Sequence, residues 1–338
     1  MRVSRTNYSR RGRVPAKLAV MMMIGFSPSV VFGAGLVVVN LSPTNSCAEI
    51  QKALDSLPAG GEALLGAGQY EITRPLFLQH DDETLCGAGP ATVLRLADDA
   101  NCPVIVLAPP LTETRRAVTH LRLADLIIDG NRKHQQSEFW RLAGDGSVMN
   151  NNGVDIWNAT DILVEHVVCH DCRSGGLVTA VTRRLVLRDF EAYGDQFDGL
   201  ACYQTEESQF DGLKLHDNLA AGLSLDLAFN HNSISHAVLA NNDLGIFMRH
   251  SRDNVFQGLD ITKSRHAGVF MAQSMRSPGS ECTGNKFEEL TINDCGGKAF
   301  MVNDVSCTNN AVADAHFLRN AFNGIDGEVI SLGTAAVH

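Results

Sequence analysis

Tyr203, Asp226 and Arg249 follow one another at intervals of 23 residues, and His250 stands directly after the arginine. A phenol, a carboxylate and a guanidinium in one row can recognise a sugar and move a proton on it. The guanidinium would bind a substrate carboxylate and lower the pKa of a neighbouring proton acceptor. Tyr203 or His250 would serve as acid or base. Trp157, two such intervals before Tyr203, offers a ring on which a sugar stacks. Lys263, Arg265 and His266 add positive charge just beyond Arg249 and suit a polyanion. The plain alternatives are a surface ion pair worth under about 1 kcal/mol, and cations that merely offset Asp243, Asp253 and Asp260.

The elements that would position these side chains are written in the glycines. Gly153, Gly176, Gly199, Gly222, Gly245 and Gly268 recur every 23 residues, each opening a short apolar segment. A fixed period in the twenties marks a solenoid whose units bury a face against their neighbours. A second apolar segment per period, such as Ile162–Val164 or Leu185–Leu187, leaves room for strands of four or five residues and none for helices. In the strand after each glycine the first column (Val154, Leu177, Leu200, Leu223, Ile246, Val269) and the third (Ile156, Thr179, Cys202, Leu225, Met248, Met271) point inward. By period-2 alternation the second and fourth point outward. The fourth column reads Trp157, Ala180, Tyr203, Asp226, Arg249, Ala272, so the candidate row lies on the surface with steps of about 4.8 Å.

Two further columns, Asp195, Asn218, Asn241 and Ser264 at one turn and Asn254, Asn285 and Asn310 at another, predict side-chain ladders that satisfy bent backbone. Ser46 and Glu49 form a capping-box signature for a helix over 46–57 that would plug the N-terminal end. Residues 132–152 and 274–280 exceed the period and are expected to loop out and wall a groove beside the row.

Six basic residues precede the apolar stretch Leu18–Phe26, which reads as an export signal over residues 1–33, with the solenoid over 34–338. Without it the net charge goes from −10 to −16, which disfavours nucleic acid and anionic membranes as partners. All nine cysteines lie after the leader. The repeat makes Cys282 and Cys307 equivalent on successive coils, and a disulfide is expected there. Cys169-His-Asp-Cys172 has a redox or metal spacing, but nothing supplies further ligands. No cofactor is expected; calcium held by turn aspartates stays open.

The entry Ala53-Leu-Asp-Ser-Leu-Pro-Ala-Gly-Gly-Glu-Ala-Leu-Leu-Gly-Ala-Gly-Gln-Tyr70, the later Leu126-Ile-Ile-Asp-Gly-Asn131 and the stacked glycine coils resemble right-handed parallel β-helix proteins of the pectin-lyase-like superfamily. The resemblance covers roughly residues 46 to 325 and implies an all-β, single right-handed parallel β-helix. Its members include pectate and alginate lyases, polyuronate epimerases, polygalacturonases and phage tailspikes. The polygalacturonase and mannuronan-epimerase motifs are missing here, so the resemblance carries over no catalytic residue.

The expected function is a secreted enzyme acting on an acidic polysaccharide by β-elimination or C5 epimerisation. Tyr203 and His250 would be acid and base, Arg249 the charge neutraliser, and Asp226 would orient them. A glycoside hydrolase is the alternative. It needs two nearby carboxylates; Asp155 is three coils from Asp226, so a turn residue such as Asp198 would have to complete the pair. A glycan-binding or surface-structural β-helix without catalysis is the third reading.

Overall fold

The computed structural model describes residues 37–110, 115–141, 148–274, 279–331 and 336–337. The expected leader, residues 1–33, lies outside them, as does Asp145 of the first insert. The described chain winds through about 11 coils of about 24 residues. Among the described residues, 28 strands join into one continuous sheet, every neighbouring pair of which runs parallel.

The inward columns are as read from the alternation. Val154, Leu177, Leu200, Leu223, Ile246 and Val269 are wholly buried, as are Cys202, Leu225, Met248 and Met271. The recurring glycine has a steric cause. A Cβ on Gly245 would stand 2.4 Å from the carbonyl oxygen of Gly268, and one on Gly268 would stand 2.4 Å from Ile292. Coils approach too closely at this column for any side chain.

Strands are longer than the four or five residues expected. Val154–His170 runs for 17 residues and Leu177–Arg188 for 12. They turn corners at single left-handed residues, such as Asn158, Asp161 and His166, without breaking the ladder. Asn and Asp tolerate that conformation because their short side chains bond locally. His236, whose column looked apolar from sequence, is one of these corners: its φ is 50° and its exposed ring bonds Asp211 at 2.7 Å.

Helix Cys47–Asp55 closes the N-terminal end. Ser46 Oγ accepts from the Glu49 N–H at 3.3 Å while Glu49 accepts from the Ser46 N–H at 2.7 Å. Ile50 and Leu54 plug the core.

Both turn ladders form, with one correction. Asp195 N–H donates to Asn218 Oδ1, and Asn218 N–H donates to Asn242 Oδ1, each at 3.1 Å. Asn242 takes the place expected of Asn241, because this coil is one residue longer; Asn241 is the exposed left-handed corner before it. Asp195 is the odd member. Its Oδ1 accepts from Cys172 N–H at 2.7 Å, but its Oδ2 is buried without a partner. Burial pushes its carboxyl well above the usual carboxylate range. A group whose folded pKa is raised gives its full stability below the unfolded value, near 3.9, and loses it as pH rises. Asp195→Asn restores the ladder's amide donor, so it should raise Tm at pH 7.5 and leave it unchanged near pH 3; thermal melts across pH check this.

The cysteine expectation is also corrected. Cys282 and Cys307 are neighbours on successive coils, with Cys282 N–H donating to Cys307 Sγ at 3.4 Å. Both are free thiols, as are the other seven cysteines, and all nine are buried. The Cys282 thiol donates to the carbonyl of Ala272 at 3.4 Å in place of a bond to its neighbour.

Residues 132–152 contain a short antiparallel hairpin, Phe139–Arg141 with Val148–Asn150. Trp140 packs on the edge of the core. No helix among the described residues is long and apolar enough to cross a membrane.

Candidate active site

Sheet register stacks Trp157, Ala180, Tyr203 and Asp226 on successive coils. Arg249 continues the column beside Ala272. The fourth column is therefore a row, as the period predicts. Tyr203, Asp226 and Arg249 meet in a pocket of about 270 Å³, which Asp198, Ser224, Asp243 and Phe247 also line.

Asp226 is buried at the pocket floor, 2% exposed. Its Oδ1 accepts from Leu227 N–H at 2.7 Å, and its Oδ2 pairs with the Arg249 guanidinium. That guanidinium lies 4.9 Å from the centre of the Phe247 ring, a cation–π contact, and Phe247 in turn stacks on Phe270. The Arg249 Nε is buried without a partner.

Asp198 sits at the end of the turn before Gly199. Its Oδ1 accepts from Ala221 N–H at 2.8 Å. Desolvation pushes its carboxyl up to about 6, against the lowering influence of that bond and of the Ser224 hydroxyl. Tyr203 moves the other way from expectation. Burial, followed by the charges of Asp198 and Asp226, pushes its phenol up to about 12, and Arg249 only weakly opposes this. Tyr203 is thus a neutral hydrogen-bond donor at physiological pH.

Other expected site residues are elsewhere. His250 is a left-handed corner with φ of 46°; its carbonyl accepts from Ala228 N–H, and its side chain does not line the pocket. Lys263 is an exposed corner of another turn. Arg265 and His266 both bind Asp243, at 3.2 and 2.7 Å, so these cations chiefly offset that carboxylate. Neither insert contributes a described residue to the pocket lining. Trp157 is half-buried on the same face, two coils before Tyr203.

Ser224 and Phe247 come from the second column, whose outward direction the alternation had already given. Asp198, named only as a carboxylate that might pair with Asp226, lies in the column before the glycine. Asp243 belongs to the turn before Gly245.

A family model described as periplasmic copper-binding protein (NosD) matches residues 133–326, more than half of the chain. A search of curated proteins finds no match. Among solved structures, the A-module of the Azotobacter vinelandii mannuronan C-5 epimerase AlgE4 is 18% identical, with a TM-score of 0.56 over 87% of this chain and 97% of that one. The catalytic domain of a GH87 α-1,3-glucanase, bound to nigerose, is 13% identical with a TM-score of 0.59 over 87% and 55%. A rhamnogalacturonan lyase is 11% identical with a TM-score of 0.56 over 89% and 87%. At these identities the likeness is one of fold.

Proposed function

The chain belongs to the NosD family of right-handed β-helix proteins, and from that membership and the carboxylates of its pocket we propose an exported enzyme that cleaves glycosidic bonds in a polysaccharide. The observation that carries this reading is the pairing of Asp198 and Asp226 in one pocket with opposite surroundings. Two carboxyl groups held in different electrostatic settings are the acid and base of glycoside hydrolysis. Asp198, with its carboxyl near 6, donates the proton to the departing sugar oxygen. Asp226, held by Arg249, is the carboxylate on the other side of the reaction, as base or nucleophile. The neutral Tyr203 hydroxyl donates a hydrogen bond to a sugar oxygen. Polysaccharide enzymes among the fold neighbours, and a family described as periplasmic, support the substrate class and export.

Elimination or epimerisation at a uronate is the second reading, favoured by one observation: Arg249 keeps an unpartnered Nε that a substrate carboxylate could use. The base would then be Asp198, since the Tyr203 phenol is held near 12 and His250 does not line the pocket.

The family description also names copper. Copper sites draw on converging thiolate, thioether or imidazole ligands. Among the described residues no three His, Cys, Asp or Glu side chains are grouped to hold a metal ion. Burial raises the Cys169, Cys172 and Cys202 thiols, keeping them protonated, and Met248 and Met271 face the core. These residues do not fit copper, and no step of the reaction passes through it.

The test is a polysaccharide panel of alginate, polygalacturonate and α-1,3-glucan, followed at once for new reducing ends and for ultraviolet absorbance. Reducing ends without absorbance are expected, and Asp226→Asn should remove them. Absorbance from unsaturated ends would instead establish the elimination reading. Binding with neither signal would leave a non-catalytic glycan-binding protein.

A further inference from the structure

We infer that the outer face of this sheet is an open-ended groove for an extended glycan chain lying along the solenoid axis, so that the enzyme cuts within chains and does not trim their ends. The inference rests on the glycosidase reading above and extends it from one pocket to a row of subsites.

The register supplies the geometry. Trp157 stands two coils before Tyr203, and Phe270 stands one coil beyond Phe247. From Trp157 to Phe270 is five steps of about 4.8 Å, roughly 24 Å in all. Each step is close to the length of one pyranose in an extended chain. Between Trp157 and Tyr203 the outward positions are Val178, Ala180 and Ala201, none of which is bulky enough to block a chain. Beyond Arg249 the column continues as Ala272. A chain-end-specific site needs a wall across the groove. The outward columns of the described residues carry alanine on both axial sides of the Tyr203–Arg249 row.

The two flanks differ in a way that suits a ligand. On the N-terminal side Trp157 is a lone half-buried indole above a floor of small side chains. On the C-terminal side Phe247 and Phe270 stack at 5.7 Å with their planes 4° apart, and Arg249 fixes the first of them. Rigid aromatic groups on either side of a polar pocket give contact area at little entropic cost. Asp198 and Asp226 lie between them, so the cleaved bond has sugar residues bound on both sides.

The decisive measurement is calorimetric binding of oligosaccharides of two to eight residues, prepared from the same three polysaccharides, to Asp198→Asn protein. Affinity should climb with length to about five residues and then level off. Trp157→Ala on that background should weaken binding of five-residue and longer oligomers roughly 3- to 10-fold, the range of one aromatic contact, and leave two-residue oligomers unchanged. Ala180→Trp, which adds bulk only on the outer face, should produce the same length-selective loss without disturbing the core. Affinity that levels off at two residues, or that neither variant alters, would overturn the groove. Separately, an Asp198→Asn protein that cleaves as fast as wild type would overturn the glycosidase reading while the length series still decides the groove.

Discussion

Asp198→Asn is expected to lower turnover on the polysaccharide by about 10²- to 10⁴-fold, the range for loss of a positioned proton donor. The pH profile makes the assignment specific. A proton donor works in its protonated form, and the Asp198 carboxyl stands near 6. Wild-type kcat/KM should therefore fall as pH rises through about 6, approaching tenfold per pH unit above it. The residual rate of the variant should lack that alkaline limb. Initial rates of reducing-end release between pH 4 and 9 provide the check. Loss of activity through misfolding would look different. The asparagine oxygen can still accept from Ala221 N–H, and removing a carboxyl whose folded pKa is raised relieves a cost that appears above the unfolded value. The variant should melt no lower than wild type at pH 7.5. An equally active variant, or one whose alkaline limb is intact, would remove Asp198 from the role.

Asn254→Ala should produce the largest loss of stability among single ladder substitutions, on the order of 4 kcal/mol. Asn254 is wholly buried. Its Oδ1 accepts from Asn232 N–H at 2.9 Å and from Asn232 Nδ2 at 3.1 Å. Its Nδ2 donates to Phe229 O at 2.9 Å and to Asn285 Oδ1 at 2.8 Å. Truncation strands these partners on three coils, away from water, and each unsatisfied buried group costs roughly 1 to 3 kcal/mol. Neighbouring coils support one another almost exclusively, so the damage should propagate along the solenoid. Urea unfolding followed by circular dichroism measures it. Asn254→Asp should be milder at low pH, where a protonated carboxyl mimics the amide, and as harmful as alanine once it must ionise. A loss under about 1 kcal/mol for the alanine variant would mean that the ladder is ornamental to stability.

The fold was legible because its determinants are local and repeated. A Cβ is excluded at Gly245 and Gly268 by the next coil's atoms, so the period shows as glycine; inward columns are apolar because they are dry. Ser46 and Glu49 announce the helix because their capping bonds span three residues. Tyr203, Asp226 and Arg249 share a row because in-register stacking carries one column onto the next. Counting broke down where a coil changes length, and the ladder residue at the extra position is Asn242 and not Asn241.

What the sequence by itself determined is therefore the coil, its inward and outward columns, and the row that crosses its surface, all consequences of a two-residue alternation inside a 23-residue repeat. Only the tertiary structure decided which neighbours that row would have. Asp198 joins it from the column before the glycine, His250 turns away at a left-handed corner, and Asp243 ties up Arg265 and His266. Acid–base character was also decided there. The same phenol and carboxyl types titrate normally in water, and it is desolvation in the pocket, with the charges held around it, that raises Tyr203 and Asp198. Periodicity records which way a side chain points; burial and charge depend on every coil that closes around it.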